Sequence, residues 1–396
     1  IKEAKICVIG LGYIGLPLYT ELTKKFNSLG YDINKKRILE LKNCYDRNNQ
    51  ISKRELKKIK KNIFFKNNEL FKSVNTFIIT VPTPIYKNKK PNLGMLIKSS
   101  KFVGKILTKG SIVIYESTVY PGVVENICVP VLENFSKLKF NKDFFCGYSP
   151  ERINPGDKKK TISDIIKVTS GSDTCTSEIV DNLYQKIIKA GTHRAQSIEI
   201  AEAAKVIENT QRDINIALMN ELSKIFNKLG ISNEDILKAA NTKWNFLDFK
   251  PGLVGGHCIG VDPYYLTERA LQVGYKPELI LAGRRINDEM PKYVVDQFVK
   301  LSLKNNILKD SMKVLVLGIT FKENCPDIRN TGVIDIKKDL DLFGIESTIY
   351  DPWANKQEVL NLHNIKLEKN INRLKDFSVV ISAVSHKEFI NFSIDD

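Results

Sequence analysis

Apolar residues follow two rhythms along the chain. The first is a series of short runs ending in polar or Pro- and Gly-rich loops: KICVIG from Lys5, NTFIITVPTPI at 75–85, GSIVIYESTVYPG at 110–122 and FFCGYSPERINPGD at 144–157. Runs of this length between turn signals read as strands buried on both faces, and their alternation with helical stretches predicts a doubly wound parallel sheet. The second rhythm is helical. The segment SIEIAEAAKVIENTQRDINIALMNELSKIFNKLG at 197–230 has no internal Gly or Pro and stops at Gly230, which predicts one long helix. The basic run KRELKKIKKN at 53–62 predicts a helix with a solvated face and an apolar stripe of Leu56 and Ile59.

The first strand leads into Gly10, Gly12 and Gly15, spaced GxGxxG, then a helix and a second strand ending at Asp32. Gly10 serves a tight turn, Gly12 lets a pyrophosphate approach the backbone, and Gly15 lets helix and strand pack closely. The helix N-terminus receives phosphates, and an acid about 20 positions on bonds ribose hydroxyls. An Asp at that place repels a 2′-phosphate, so NAD is expected over NADP. Carboxyl ends of strands hold ligands in such sheets, which brings Thr83, Thr118 and Glu151 to one rim. Thr83 and Thr118 could equally cap their loops. The design recurs near the C-terminus: SMKVLVLGITFKENCPDIRNT (311–331), ESTIYDP (346–352) and DFSVVISAVSHKEF (376–389) repeat the first half without its later glycines. This second sheet is expected to hold the nucleotide part of a substrate, or to be a structural repeat, and not to bind a dinucleotide.

Composition narrows the classes. With 396 residues, 42% hydrophobic and 27% charged, the chain has room for two or three cored domains. The net charge of +16 comes from lysines spread over the whole length, so no nucleic-acid partner is expected; a mildly basic surface also steers phosphorylated substrates. Seven scattered cysteines without a CxxC pair exclude a zinc knuckle and a disulfide framework, predict no metal site, and suit a reducing cytoplasm. No apolar run reaches 18 residues, so no membrane segment is expected. The chain begins at Ile1 on a strand-like pattern and not a signal peptide, and the missing Met leaves room for a few further N-terminal residues.

On the long helix, Lys205, Asn209 and Arg212 fall within about 60° of one another at roughly 100° per residue. They line a site beside Ala204, Ile207 and Ile216, or form an ordinary solvent face; the remaining faces could serve an oligomer interface. The stretch GLVGGHCIGVDPYY (252–265) sets Cys258 among Gly255, Gly256 and Gly260. Glycines let a backbone approach a ligand and aim its N–H groups at it. A thiolate, favoured by a cation such as Lys205 or by a helix N-terminus, is the strongest neutral-pH nucleophile among side chains. A hydride acceptor plus such a thiol implies capture of an aldehyde as a hemithioacetal, oxidation to a thioester, and hydrolysis to a carboxylate. Asp262 is the candidate for positioning the water. His257 is either a base or a packing and substrate contact.

The ordered set GLGYIGLPL, VPTP, ESTVYPG, SPERINPGD, AEAAKVIENTQRDINIALMNEL, PGLVGGHCIGVDPYYL and LGITFKENCPDIRNT resembles the UDP-glucose/GDP-mannose dehydrogenase family over nearly the whole chain. SPERINPGD and KWNFLDFKPGLVGGHCIGVDPYYL are similar to the branch acting on UDP-N-acetylglucosamine or UDP-N-acetylgalactosamine for surface polysaccharides. The resemblance implies a four-electron oxidation of the sugar C6 alcohol with two NAD. It makes Cys258 the nucleophile, Lys205 and Asn209 the pair steadying the C6 oxygen, Asp262 and Thr118 the water-handling pair, and Glu151 the acid/base carboxylate. It assigns NAD contacts to Gly10, Gly12, Tyr13, Ile14, Gly15, Asp32, Arg37, Thr83, Thr118 and Arg329. It assigns substrate contacts to Glu151, Arg152, Lys205, Asn209, Arg212, the loop with Phe249, Lys250, Gly252 and Gly255, His257, Phe321 and Lys322. Pro155 stands where UDP-glucose members carry a second glutamate, and the chain ends somewhat early for the family.

The expected architecture is α/β: two Rossmann-like doubly wound domains, 1–196 for NAD and 299–396 for the UDP-sugar, joined by a central helical segment at 197–298. That segment carries the cysteine loop and, as the resemblance implies, a dimer contact. UDP-N-acetylmannosamine and UDP-glucose are alternative substrates. A non-catalytic NAD- or nucleotide-sugar-binding regulator is the alternative of a different class.

Overall fold

The structure is a computed structural model describing residues 4–65, 69–153, 161–256, 258–307, 312–368 and 377–390. His257 and Pro155 lie outside the described residues. The chain divides into two compact units, Ile1–Ile207 with Tyr264–Val273, and Glu208–Pro263 with Gly274–Asp396.

The first unit is built on eight strands: β1 (Lys5–Ile9), β2 (Asn27–Tyr31), β3 (Ile63–Phe64), β4 (Thr76–Ile79), β5 (Ser111–Tyr115), β6 (Phe144–Tyr148), β7 (Lys167–Gly171) and β8 (Thr192–Arg194). Their order is β3-β2-β1-β4-β5-β6-β7-β8, parallel throughout except for the antiparallel β6–β7 pair. The apolar runs become these strands because helices cover both faces: Ile6, Val8, Ile78 and Ile114 pack in one core with Leu16, Tyr19, Ile38 and Tyr184. The basic segment forms the helix Lys53–Ile59, started by a Ser52/Glu55 capping box, and buries Leu56 and Ile59 as its pattern predicts.

The second unit carries β9 (Lys313–Leu317), β10 (Glu346–Tyr350) and β11 (Val379–Ser382), parallel in the order β10-β9-β11. The loop after β9 repeats the glycine turn and two hydrogen bonds of the loop after β1. Gly10 at φ +94° and Gly318 at φ +92° follow β1 and β9. Gly10 N donates to Tyr31 O and Gly318 N to Tyr350 O, each at 2.8 Å. Leu11 N donates to Asp32 Oδ2 at 2.8 Å, and Ile319 N to Asp351 Oδ2 at 2.6 Å.

The two acids nevertheless differ. Asp351 is 1% exposed and also accepts from Thr320 N, Trp353 N, Ala354 N and His386 Nε2. Burial alone would raise its carboxyl, but His386 and the amides outweigh it and hold it below the usual range. Its acceptor capacity is taken up by the chain itself, so the second loop offers no ribose-binding acid.

The long helix is Ile198–Leu229, the extent its uninterrupted pattern predicts, and its first ten residues belong to the first unit and the rest to the second. Its buried residues include a polar set beside apolar Ala201, Val206, Ala217 and Met219. Glu202, Lys205, Asn209, Asp213 and Asn220 are each at most 7% exposed, whereas Ile207, Leu218, Ile225 and Leu229 face outward. Of the apolar residues beside the Lys205 stripe, Ile207 is 53% exposed.

Candidate active site

The dinucleotide loop is shaped by contact. A Cβ on Gly15 would overlap the Gly10 carbonyl oxygen and Thr80 Oγ1, so helix and turn meet with no space for a side chain. Thr80 Oγ1 locks that turn by donating to Ile9 O at 3.0 Å and Gly10 O at 2.7 Å. Nothing stands within 4 Å of a Cβ placed on Gly12, which leaves the backbone open on that side. The loop and Asp32 therefore fit a dinucleotide: free space over Gly12, a helix N-terminus at Gly15, and a carboxylate at the end of β2. Tyr13 and Ile14 are half-buried in this loop. Arg37 is 5% exposed, donates from Nε to Leu11 O at 2.9 Å and pairs with Asp46 at 2.8 Å, which ties it to the loop backbone.

The rim of the same sheet holds Thr83, Thr118 and Glu151. Thr83 Oγ1 donates to Thr118 O at 2.7 Å, and Tyr265 Oη donates to Thr83 O at 2.9 Å, so Thr83 ties two strand-end loops together. Glu202, a turn before Lys205 on the long helix, accepts from Gly122 N at 2.5 Å and Val124 N at 2.9 Å. This fastens the Thr118 loop to the helix that carries Lys205. Burial pushes the Glu202 carboxyl up to about 8 against the pull of those two amides.

Glu151 is 6% exposed; Oε1 accepts from Arg152 N at 2.7 Å and Ile153 N at 2.8 Å, and Oε2 lies 3.3 Å from Lys167 Nζ. Lys167 also pairs with Glu116 Oε2 at 2.8 Å, and Tyr184 Oη donates to Glu116 Oε1. Burial pushes the Glu116 carboxyl up, with Lys167 opposing. For Lys167 burial disfavours the charge, but Glu116 and Glu151 outweigh it and raise its pKa. The Arg152 guanidinium donates to Ile166 O at 2.9 Å.

In the second unit the cysteine segment is fastened at two points, Gly252 and Gly256. Asn220 on the long helix grips Gly252 twice, its Nδ2 donating to Gly252 O at 3.1 Å and its Oδ1 accepting from Gly252 N at 2.8 Å. Asn220 is held through Asn287 to Asp213, which accepts from Arg284 Nη1 at 2.5 Å and Asn287 Nδ2 at 2.8 Å. Next, Gly256 N donates to Arg329 O at 3.1 Å and Asn330 Nδ2 donates to Gly256 O at 3.1 Å. A Cβ on Gly255 or Gly256 would press on Phe321 at 2.9 Å or 2.7 Å, and Gly256 sits at φ +81°.

Gly256 thus admits the Phe321 ring, and Gly255 admits the Asn330 carbonyl oxygen and Phe321 Cβ. The expectation that the Gly256 N–H points at a ligand is corrected, because it is bonded to the Arg329 carbonyl. Arg329 turns its guanidinium to Asp327. Lys322 is half-buried beside Phe321, Phe249 and Arg212 are half-buried, and Lys250 is exposed.

Cys258 follows at intermediate exposure, and its carbonyl accepts from Asp262 N at 2.9 Å, the first turn of the helix Asp262–Gln272. Cys258 thus sits one turn before the first residue of that helix. Asp262 is 2% exposed and accepts from Asn209 Nδ2 at 2.5 Å. Lys205 lies one turn before Asn209 on the same helix. Of the other cysteines, Cys175 is exposed, and Cys7, Cys44, Cys128, Cys146 and Cys325 are buried. Burial pushes Cys128 up to about 12 and Cys325 to about 11.

Three consecutive matches cover this geometry: the NAD binding domain of the UDP-glucose/GDP-mannose dehydrogenase family at residues 4–188, its central domain at 199–289 and its UDP binding domain at 315–396. The chain belongs to this family. It is an NAD-dependent nucleotide-sugar dehydrogenase of the UDP-glucose/GDP-mannose type, and its substrate is a UDP-sugar.

It is 54% identical to UDP-N-acetyl-D-glucosamine 6-dehydrogenase of Pseudomonas aeruginosa over 396 residues, covering 100% of this chain and 94% of the relative. It is also 54% identical to Protein CapL of Staphylococcus aureus, over 97% of this chain and 90% of that protein. Among solved structures, the UDP-D-ManNAc dehydrogenase of Pyrococcus horikoshii superposes with TM-score 0.86 at 28% identity, covering 98% of this chain and 91% of the other. Among the described residues no helix is long and apolar enough to cross a membrane.

Members of the Glu116–Lys167–Tyr184 and Asp213–Arg284–Asn287–Asn220 networks escaped sequence reasoning. Polar residues at 202, 205, 209, 213 and 220 recur every three or four positions, or a multiple of that, and could have revealed the helix side. Lys167 and Arg284 carry no such local signal.

Proposed function

We propose that this dehydrogenase oxidises C6 of UDP-N-acetylglucosamine to the uronic acid, using two NAD per sugar. The relatives at 54% identity carry that activity or a capsule name, which supports this substrate and a place in capsule or lipopolysaccharide precursor synthesis. The observation that carries the chemistry is the Cys258–Asp262–Asn209 connection at one helix N-terminus.

NAD, when bound at the Gly10–Gly15 loop, supplies the hydride acceptor for both oxidations. Lys205 and Asn209 stabilise the developing C6 oxyanion by charge and hydrogen bonding. The Cys258 thiolate adds to the C6 aldehyde to give a thiohemiacetal, loss of hydride turns it into a thioester, and water releases the carboxylate and the thiol. Asp262 and Thr118 orient that water, and Glu151 moves its proton. Phe249, Lys250, Phe321 and Lys322 serve the nucleotide sugar. Copies of the chain associate through the outward apolar residues of the long helix, as a dimer or larger homo-oligomer, in the cytoplasm where thiols stay reduced.

An absorbance assay at 340 nm over UDP-GlcNAc, UDP-GalNAc, UDP-ManNAc and UDP-glucose tests the substrate. The expected result is the highest kcat/KM with UDP-GlcNAc and two NADH per uronate formed. One NADH per sugar would reduce the activity to an alcohol oxidation, and a preference for another sugar would reassign the substrate.

A further inference from the structure

The antiparallel pair in the first sheet has a chemical consequence. In a parallel sheet every strand sends its carboxyl end to the ligand rim. Reversing β7 sends its amino end there instead. The register Gly147↔Gly171 and Tyr148↔Ser170 continues to set Lys167, the first residue of β7, opposite Glu151. The Lys167 ammonium is 2.8 Å from Glu116 and 3.3 Å from Glu151, and all three side chains are at most 7% exposed. One cation is therefore shared by two carboxylates in a dry place, where a charge acts more strongly than in water.

The groups facing Glu151 come from every neighbour: Lys167 from β7, Glu116 just beyond β5, and Tyr184 from the helix Thr174–Gln185 by way of Glu116. Arg152 beside it gives its backbone N–H to Glu151 and sends its guanidinium to Ile166 O. Lys167 also lies 5.3 Å from the centre of the Tyr184 ring. The main chain holds Oε1 and Lys167 holds Oε2, so the lysine governs the orientation and charge of the half of Glu151 that no amide holds.

We propose that Lys167, shared with Glu116, is a positioning residue that sets the orientation and charge balance of the Glu151 carboxylate. It rests on the acid–base role proposed for Glu151, and its two neighbours act on that role in opposite directions. Without Glu116 the repulsion on an ionised Glu151 is removed, so the active form persists to lower pH. Without Lys167 the two carboxylates face each other unscreened, so the active form requires higher pH.

The test is the pH profile of kcat from pH 5 to 9 for Glu151→Gln, Glu116→Gln and Lys167→Met, with thermal melts in parallel. Glu151→Gln should lose about 10²-fold or more of kcat, the usual share of a positioned proton carrier. Glu116→Gln, which keeps an acceptor for Lys167 and Tyr184, should move the acidic limb down by about one pH unit. Lys167→Met should move it up by at least as much and lower kcat.

Limbs that stay in place while the melts fall, or that move in the same direction, overturn the positioning role and leave a structural one. If Lys167→Met does not fold, the downward shift in Glu116→Gln decides alone. Full activity of Glu151→Gln at all pH values would instead remove the role of Glu151, a different failure with a different signature.

Discussion

Cys258→Ala should make no uronic acid. The loss in carboxylate production is expected to be about 10³-fold or more, since no other nucleophile replaces a covalent one. The variant should still bind NAD and UDP-sugar with unchanged Kd, because the segment around residue 258 is held by Asn220 at Gly252 and by Arg329 and Asn330 at Gly256, and not by the sulfur. The Cys258 carbonyl, which starts the helix at Asp262, survives the substitution. Quantifying uronate by mass, with binding by calorimetry, separates the outcomes. Uronate at the wild-type rate removes the thioester route, and loss of binding would mean that the loop had collapsed.

Gly15→Ala should unfold or severely loosen the first unit. Its new methyl would overlap the Gly10 carbonyl oxygen and Thr80 Oγ1. Both are fixed, the former in the turn and the latter by two backbone acceptors, so neither moves aside cheaply. The expected destabilisation is about 3 kcal/mol, at the upper end for overpacking, read as a lower Tm in a thermal melt. Gly12→Ala is the internal control. An added Cβ there meets nothing within 4 Å, so the fold should keep its Tm while NAD raises it less than in wild type. Equal melts for Gly15→Ala and wild type would mean that the strand-to-helix contact is not as tight as described.

Much of this was legible in the sequence, and the divide follows the range of the interactions. The runs at 5–9, 75–85, 110–122 and 144–157 became β1, β4, β5 and β6 because a strand buried on both faces writes its burial into consecutive residues. The helix Ile198–Leu229 was legible because nothing interrupts it, and the second switch loop because it repeats the first. What the sequence did not disclose is cooperation over distance. Lys167 meets Glu116 across 51 positions and Arg284 meets Asp213 across 71, and no local period marks either pair. The close contact at Gly256 is hidden for the same reason: its near neighbour is the Phe321 ring, and no pattern around Cys258 announces a ring from so far along the chain.

The distribution of sulfur has a practical corollary. Five of the seven thiols are buried, and Cys175 and Cys258 are the two that are not. An alkylating reagent added to the native protein therefore meets two targets, one of them a bystander on the helix Thr174–Gln185. With serine at 175, a single fluorophore or crosslinker would mark the nucleophile alone and turn it into a spectroscopic reporter of whatever approaches it.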